Sequence, residues 1–147
     1  MSVRKWGVLA FALSIATACE NHDAVLGVSL DPPDDRPVSY SDDVSPIFRT
    51  SCAVSGCHDS VTQEAQQDLS RPFDPILGAV GVPSLEAIGL NRIEPGSSST
   101  SYLVIKLLGT QAIVGGSGDR MPLGSSPLSN AQISIIRRWI DDGAKNN

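Results

Sequence analysis

Isoleucines at 133, 136 and 140 recur at spacings of three and four, with Trp139 beside them. That period puts them on one face of a helix. Ser129 and Gln132 form an S-x-x-Q capping box ahead of it, and Leu128 and Ile133 take the two staple positions around the box. Gly143 stands where a left-handed residue stops a helix. Another apolar set, Val44, Ile47 and Phe48, predicts an earlier helix from Asp42 or Asp43 into Cys52. An aspartate N-cap accepts a hydrogen bond from a free N–H of the first turn. With either cap, Pro46 falls within the first four positions, where no N–H partner is required. A middle helix is expected from the serines at 97–101 through Leu108, with Tyr102, Leu103, Ile105 and Leu107 apolar and Gly109 as its stop. No segment alternates apolar and polar residues long enough to predict a strand. The expected class is all-α, with three or more helices and long loops.

The N-terminal segment follows a different pattern. Arg4 and Lys5 precede an apolar run from Trp6 to Ala18 that ends in Ala16-Thr17-Ala18-Cys19. A basic start, a short apolar core and small residues at its end make an export signal. A spanning helix needs about 20 apolar residues, more than this run supplies. Cys19 at the cleavage point resembles the lipobox of bacterial lipoproteins, although Ala16 stands where leucine is common. The other reading is an ordinary secreted protein with Cys19 in or beside the signal. Glu20 to Pro37 has no apolar period and contains Asp31-Pro32-Pro33-Asp34-Asp35-Arg36-Pro37, which reads as a semi-rigid spacer. Fully stretched, it reaches at most roughly 60 Å. The expected organisation is a lipoprotein-type signal peptide at 1–18, a lipidated Cys19 and polar linker at 19–37, and one domain at 38–147. The protein is then exported and lipid-anchored on the periplasmic or cell-envelope side of a bacterial membrane.

Charge narrows the partners. After loss of residues 1–18, nine basic residues face 16 acidic ones, a net charge of about −7. That excess disfavours nucleic acid or an anionic bilayer surface. It suits a basic docking surface on a protein partner, with the membrane reached through the lipid alone.

The chemistry lies in scarce residues. The chain has three cysteines, two histidines and two methionines. Setting aside Cys19, His22 and the initiator Met1, the domain holds Cys52, Cys57, His58 and Met121. Cys52-Ala53-Val54-Ser55-Gly56-Cys57-His58 pairs two cysteines with an immediately following histidine, the pattern that attaches a c-type haem. Two residues usually separate the cysteines; here there are four. Positions five apart on a helix diverge by about 140°, so the intervening residues must loop out, with Gly56 able to take the unusual backbone angles. Met121 follows Gly115-Gly116-Ser117-Gly118-Asp119-Arg120 and precedes Pro122, which drives it away from helical geometry. A thioether is a soft neutral ligand suited to iron that changes oxidation state. A lone methionine more often fills a core; the polar, glycine-rich setting favours ligation here.

The domain resembles the small monohaem cytochrome c domains of bacterial exported proteins. The matching pieces, in order, begin with Asp43-Val44-Ser45-Pro46-Ile47-Phe48, the Cys52–His58 motif and Asp68-Leu69-Ser70. Glu94-Pro95-Gly96 and Ser101-Tyr102-Leu103 follow. Asp119-Arg120-Met121-Pro122, Pro127-Leu128-Ser129 and Trp139-Ile140-Asp141-Asp142-Gly143-Ala144 complete the set. The resemblance implies a cytochrome c-like fold around one covalent haem c. Cys52 and Cys57 would hold the haem, with His58 as proximal and Met121 as distal iron ligand. It also implies crossed first and last helices, setting Phe48 near Trp139. The function implied is single-electron transfer through the haem edge to a redox protein partner, a carrier and not an enzyme.

Two other functions fit the same residues. One is a haem-based catalytic or sensory domain in which Met121 dissociates. The other is a haem-free lipoprotein with a Cys52–Cys57 disulfide. Arg120 reads equally as a haem-propionate donor or a solvated loop residue. His22 reads as a linker residue and Asp141-Asp142 as surface charge. The Gly115–Gly118 cluster lacks the Gly-Lys-Ser/Thr of a phosphate loop. With the domain's histidine already assigned, no serine–histidine–acid constellation can be built.

Overall fold

Leu128, Ile133, Ile136, Trp139 and Ile140 are all buried in the computed structural model, which describes residues 36–147. The last four lie on the inner face of helix α3, Asn130–Asp141, the longest helix described, and Leu128 packs just ahead of it. Both halves of its capping box form: Ser129 Oγ accepts from the Gln132 N–H (3.2 Å), and Gln132 Oε1 accepts from the Ser129 N–H (3.0 Å). Gly143 follows at φ +101°. The expected signal peptide, Cys19, His22 and most of the linker lie outside the described residues.

The first helix begins earlier than the aspartates suggest. Ser39 is the N-cap, and a π-helical turn, Tyr40–Val44, runs directly into α1, Ser45–Ser51. The Asp43 carboxylate accepts from the Ser39 N–H (2.8 Å), so Asp43 closes the turn from inside instead of starting it. Pro46 is the second residue of α1 but the seventh of the helical run. Its ring would collide with the carbonyl four residues back in a regular α-helix. The wider π turn, closed by the Ser45 N–H on the Tyr40 carbonyl, accommodates it.

Helix α2, Tyr102–Leu108, starts just after the last of the serines predicted to lie inside it. Ser101 Oγ instead serves the preceding loop, accepting from the Glu94 N–H (2.9 Å) and donating to the Ser97 carbonyl (2.8 Å). Gly109, at φ +72°, ends α2 as expected. Among the described residues there is no sheet; Val80–Ile93 and Pro83–Asn91 are isolated bridges. The class is all-α. No described helix is long and apolar enough to cross a membrane.

Aromatic packing joins the ends of the domain. Trp139 meets Phe48 edge-to-face at 6.2 Å between centroids and Phe73 at 6.1 Å, with Tyr40 at 5.6 Å. The indole Nε1–H donates to the Lys145 carbonyl (2.8 Å). Asn147 then pairs with the first turn: its carbonyl accepts from the Ser41 N–H (2.9 Å), and its side chain accepts from the Tyr40 N–H (2.9 Å). Asp141 is more than surface charge. Its carboxylate accepts from the Ser98 N–H (2.7 Å) and hydroxyl (3.0 Å), tying α3 to the loop before α2.

The middle of the chain, between α1 and α2, is held by side chains gripping backbone. Asp68 is fully buried, and its carboxylate accepts from the Ser70 N–H (2.9 Å), the Ser70 hydroxyl (2.5 Å) and Arg71 Nε (2.8 Å). Burial opposes its ionisation, but the bonds from Ser70 and Arg71 outweigh it and hold the carboxyl below its ordinary range.

Two consequences can be measured. Trp139→Ala should lower the unfolding free energy by about 3–5 kcal/mol in equilibrium denaturation, since a fully buried indole leaves a cavity; a loss under about 1 kcal/mol would refute the central packing role. Asp68 contributes stability that is complete above about pH 4 and is lost as pH falls through its depressed folded value. Asp68→Asn should therefore destabilise at neutral pH by about 1–3 kcal/mol and flatten the acid limb of a pH–stability curve. An unchanged acid limb would remove Asp68 as its source.

Candidate functional site

α1 delivers the first cysteine. Cys52 is its C-cap, with its N–H on the Phe48 carbonyl (2.9 Å). The chain then leaves the helix, and Ala53 to Gly56 loop out. The Cys57 N–H returns to the Val54 carbonyl (3.0 Å) and the His58 N–H to the Cys52 carbonyl (3.1 Å). Gly56 sits at φ +85° with open space around an added Cβ, so glycine is needed there for conformation and not for room. The C-terminal end of the motif is fastened twice: the Cys57 carbonyl accepts from the Glu64 N–H (3.0 Å) and the His58 carbonyl from the Leu69 N–H (2.8 Å).

Cys52, Cys57, His58 and Met121 all line one cavity of about 380 Å³. That volume lies in the range of small-molecule sites, about 300–1,000 Å³. Leu69, Leu103, Leu107 and Leu123 give the wall apolar surface. Both thiols are free. Cys52 is buried, and burial, with the neighbouring Cys57, pushes its thiol up to about 12; Cys57 is only half-buried.

His58 is oriented by the backbone. Its Nδ1 lies 3.0 Å from the Glu64 carbonyl. A carbonyl only accepts, so Nδ1 donates here, which leaves Nε2 of the neutral ring as the nitrogen available to a ligand, the arrangement found in ligating histidines. The carbonyl is placed at a conformational cost. Gln63, Ala65 and Gln66 all have left-handed backbones, at φ +50°, +54° and +55°, and such residues cost of order 1–3 kcal/mol each. No sequence signal marks this carbonyl, because the contact depends on backbone geometry and not on the identity of Glu64.

Met121 is carried on a loop docked on the end of α2. The last carbonyls of a helix have no partner within it. Here the Lys106 carbonyl accepts from the Met121 N–H (3.0 Å), and the Leu107 carbonyl from Arg120 Nε (2.8 Å). Arg120 is therefore a loop fastener; it is exposed and does not line the cavity. Earlier in the same loop, the Ser117 carbonyl accepts from Lys106 Nζ and the Tyr102 hydroxyl, both at 3.0 Å. Lys106 Nζ also pairs with Glu86 at 3.0 Å.

The donor set fits a haem. Among the described residues no three His, Cys, Asp or Glu side chains gather as ligands for a bare ion. One imidazole and one thioether suffice for a macrocycle that brings its own equatorial nitrogens, and two thiols suffice to anchor it. Comparison with protein-family models, curated proteins and solved structures returns no match to the chain. The functional reading accordingly rests on the residues themselves.

In protein made without haem-attachment machinery, iodoacetamide should label Cys57 faster than Cys52 by more than about tenfold, because reactivity follows thiolate fraction and exposure. Peptide mass spectrometry over time reads both sites. Equal rates would contradict the burial of Cys52.

Proposed function

We propose that this chain is an exported, lipid-anchored monohaem c-type cytochrome that passes single electrons to a protein partner. The observation that carries the reading is the convergence of Cys52, Cys57, His58 and Met121 on one cavity, with His58 already fixed through Nδ1. Attachment needs both thiols reduced. Cys52 and Cys57 would hold the haem as thioethers, each S–H adding across a vinyl C=C with no net redox change. The free state of Cys52 and Cys57 is compatible with that addition. A haem held there supplies one-electron iron chemistry.

The chain's own residues set how that chemistry is used. His58 offers Nε2 from one side, and Glu64 prevents the ring from turning. Met121 offers its sulfur from a loop fixed to α2, so His58 and Met121 would together hold the iron and would leave it no place for a substrate. The leucines of the wall would give the haem an apolar surface to pack against. Methionine ligation raises the reduction potential relative to bis-histidine ligation. The acidic domain would dock on a basic partner, with Cys19 and the linker as the tether.

Haem staining of the denatured protein, expressed with a c-type maturation system, tests the reading first. Wild type should retain haem and the Cys52→Ala, Cys57→Ala double variant should not. No retained haem, under conditions that mature a control cytochrome, would favour the disulfide lipoprotein. Met121→Ala should lower the potential and let the reduced protein bind carbon monoxide, which wild type should not. Carbon monoxide binding to wild type would favour the catalytic or sensory alternative.

A further inference from the structure

Two cations are buried on the cavity wall, Lys106 and Arg92. Their surroundings differ. Lys106 has a carboxylate, Glu86, at 3.0 Å. Arg92 is only 5 % exposed, and among the described residues no carboxylate pairs with it. Its side-chain contacts are carbonyls alone: one terminal nitrogen donates to Gly78 (2.6 Å) and Leu77 (3.3 Å), the other to Ala65 (3.4 Å).

Carbonyl dipoles orient a guanidinium without neutralising it. Burying a charge costs free energy that hydrogen bonds to carbonyls offset in part and an opposite charge at close range offsets further. The three carbonyls come from two separate loop segments and fix the fork in place. Three of the five guanidinium N–H groups are used by these carbonyls, two remain, and Arg92 is among the residues that line the cavity. Guanidinium is geometrically matched to a planar carboxylate.

We propose that Arg92 is the counter-ion of a carboxylate carried by the cavity's occupant. On the haem reading, on which this rests, that carboxylate is a haem propionate. Arg92 is then a positioning residue: it sets the rotation of the macrocycle within the wall and adds a positive charge near the iron. This assigns to Arg92 the role that the sequence left open for Arg120.

The test is resonance Raman spectroscopy of the haem-loaded protein, read at the propionate bending band, together with the reduction potential. In wild type the band should lie at its hydrogen-bonded position. Arg92→Gln should move it to the free position and lower the potential, while leaving the axial-ligand bands in place. Arg92→Lys keeps the charge and loses the fork; it should shift the band partway and restore most of the potential. An unmoved band in Arg92→Gln, or a potential that falls equally in both variants, would overturn the assignment and leave a structural role. If the variants do not fold, a free-position band in wild type overturns it alone, and a hydrogen-bonded one there supports it. Absence of covalent haem in the staining experiment overturns both readings together; retained haem with an unmoved band overturns only this one.

Discussion

The edge-to-face contact between Trp139 and Phe48 joins the two ends of the domain, and the long loops between them depend on that joint. Phe48 comes from α1, whose next turn becomes Cys52, so packing that fixes Phe48 also fixes where the helix releases its chain. Tyr40 and Phe73 complete the cluster, with Tyr40 on Phe73 at 4.9 Å. Aromatic pairs in this geometry contribute about 0.5–1.5 kcal/mol each beyond the area they bury. With three short α-helices and no sheet among the described residues, few other elements could supply an equally rigid reference.

Around that joint, backbone carbonyls do most of the positioning. Glu64 aims His58, Lys106 and Leu107 hold the Met121 loop, and Gly78 and Ala65 orient Arg92. A helix end leaves its last carbonyls with spare acceptor capacity, and the Met121 loop uses it: the Lys106 carbonyl takes the Met121 N–H beside the Gly109 N–H, and the Leu107 carbonyl takes Arg120 Nε. A helix terminus therefore becomes the mount for the other axial candidate. Irregular chain can be held firmly in this way, provided its polar groups find partners, and here most do.

What was legible in the sequence was local. The Ser129–Gln132 box, the isoleucine face and the Gly109 stop each depend on residues a few positions apart, and each forms as expected. The start of the first helix was misplaced by a competition the pattern does not resolve: Ser39 caps, Asp43 supports it, and Pro46 needs a wider turn. Cys52, Cys57, His58 and Met121 stood out because each residue type is scarce and its chemistry distinctive. Glu64 and Arg92 did not. Glu64 acts through an atom every residue possesses. Arg92 is indistinguishable from any other loop arginine until the fold buries it. Arg120, beside the methionine in sequence, was the nearer guess for a carboxylate partner, yet it turns toward α2.

Two unfavourable groups lie away from the cavity: Gln111 Oε1 is buried with no partner among the described residues, and Ala144 has a left-handed backbone at φ +48°. The aromatic cluster, the Asp68 turn and the α3 caps are all satisfied within the protein. The left-handed residues Gln63, Ala65 and Gln66 and the buried guanidinium of Arg92 nonetheless gather at one cavity or beside it. Places where a fold departs from local rules tend to be its functional sites. A ligand that binds only the folded chain stabilises it by mass action, and a covalent one does so permanently. An occupant that brings a carboxylate to Arg92 would remove one of the two liabilities at the cavity. The strained segment would remain, because its task is to aim the Glu64 carbonyl at His58 before any occupant arrives.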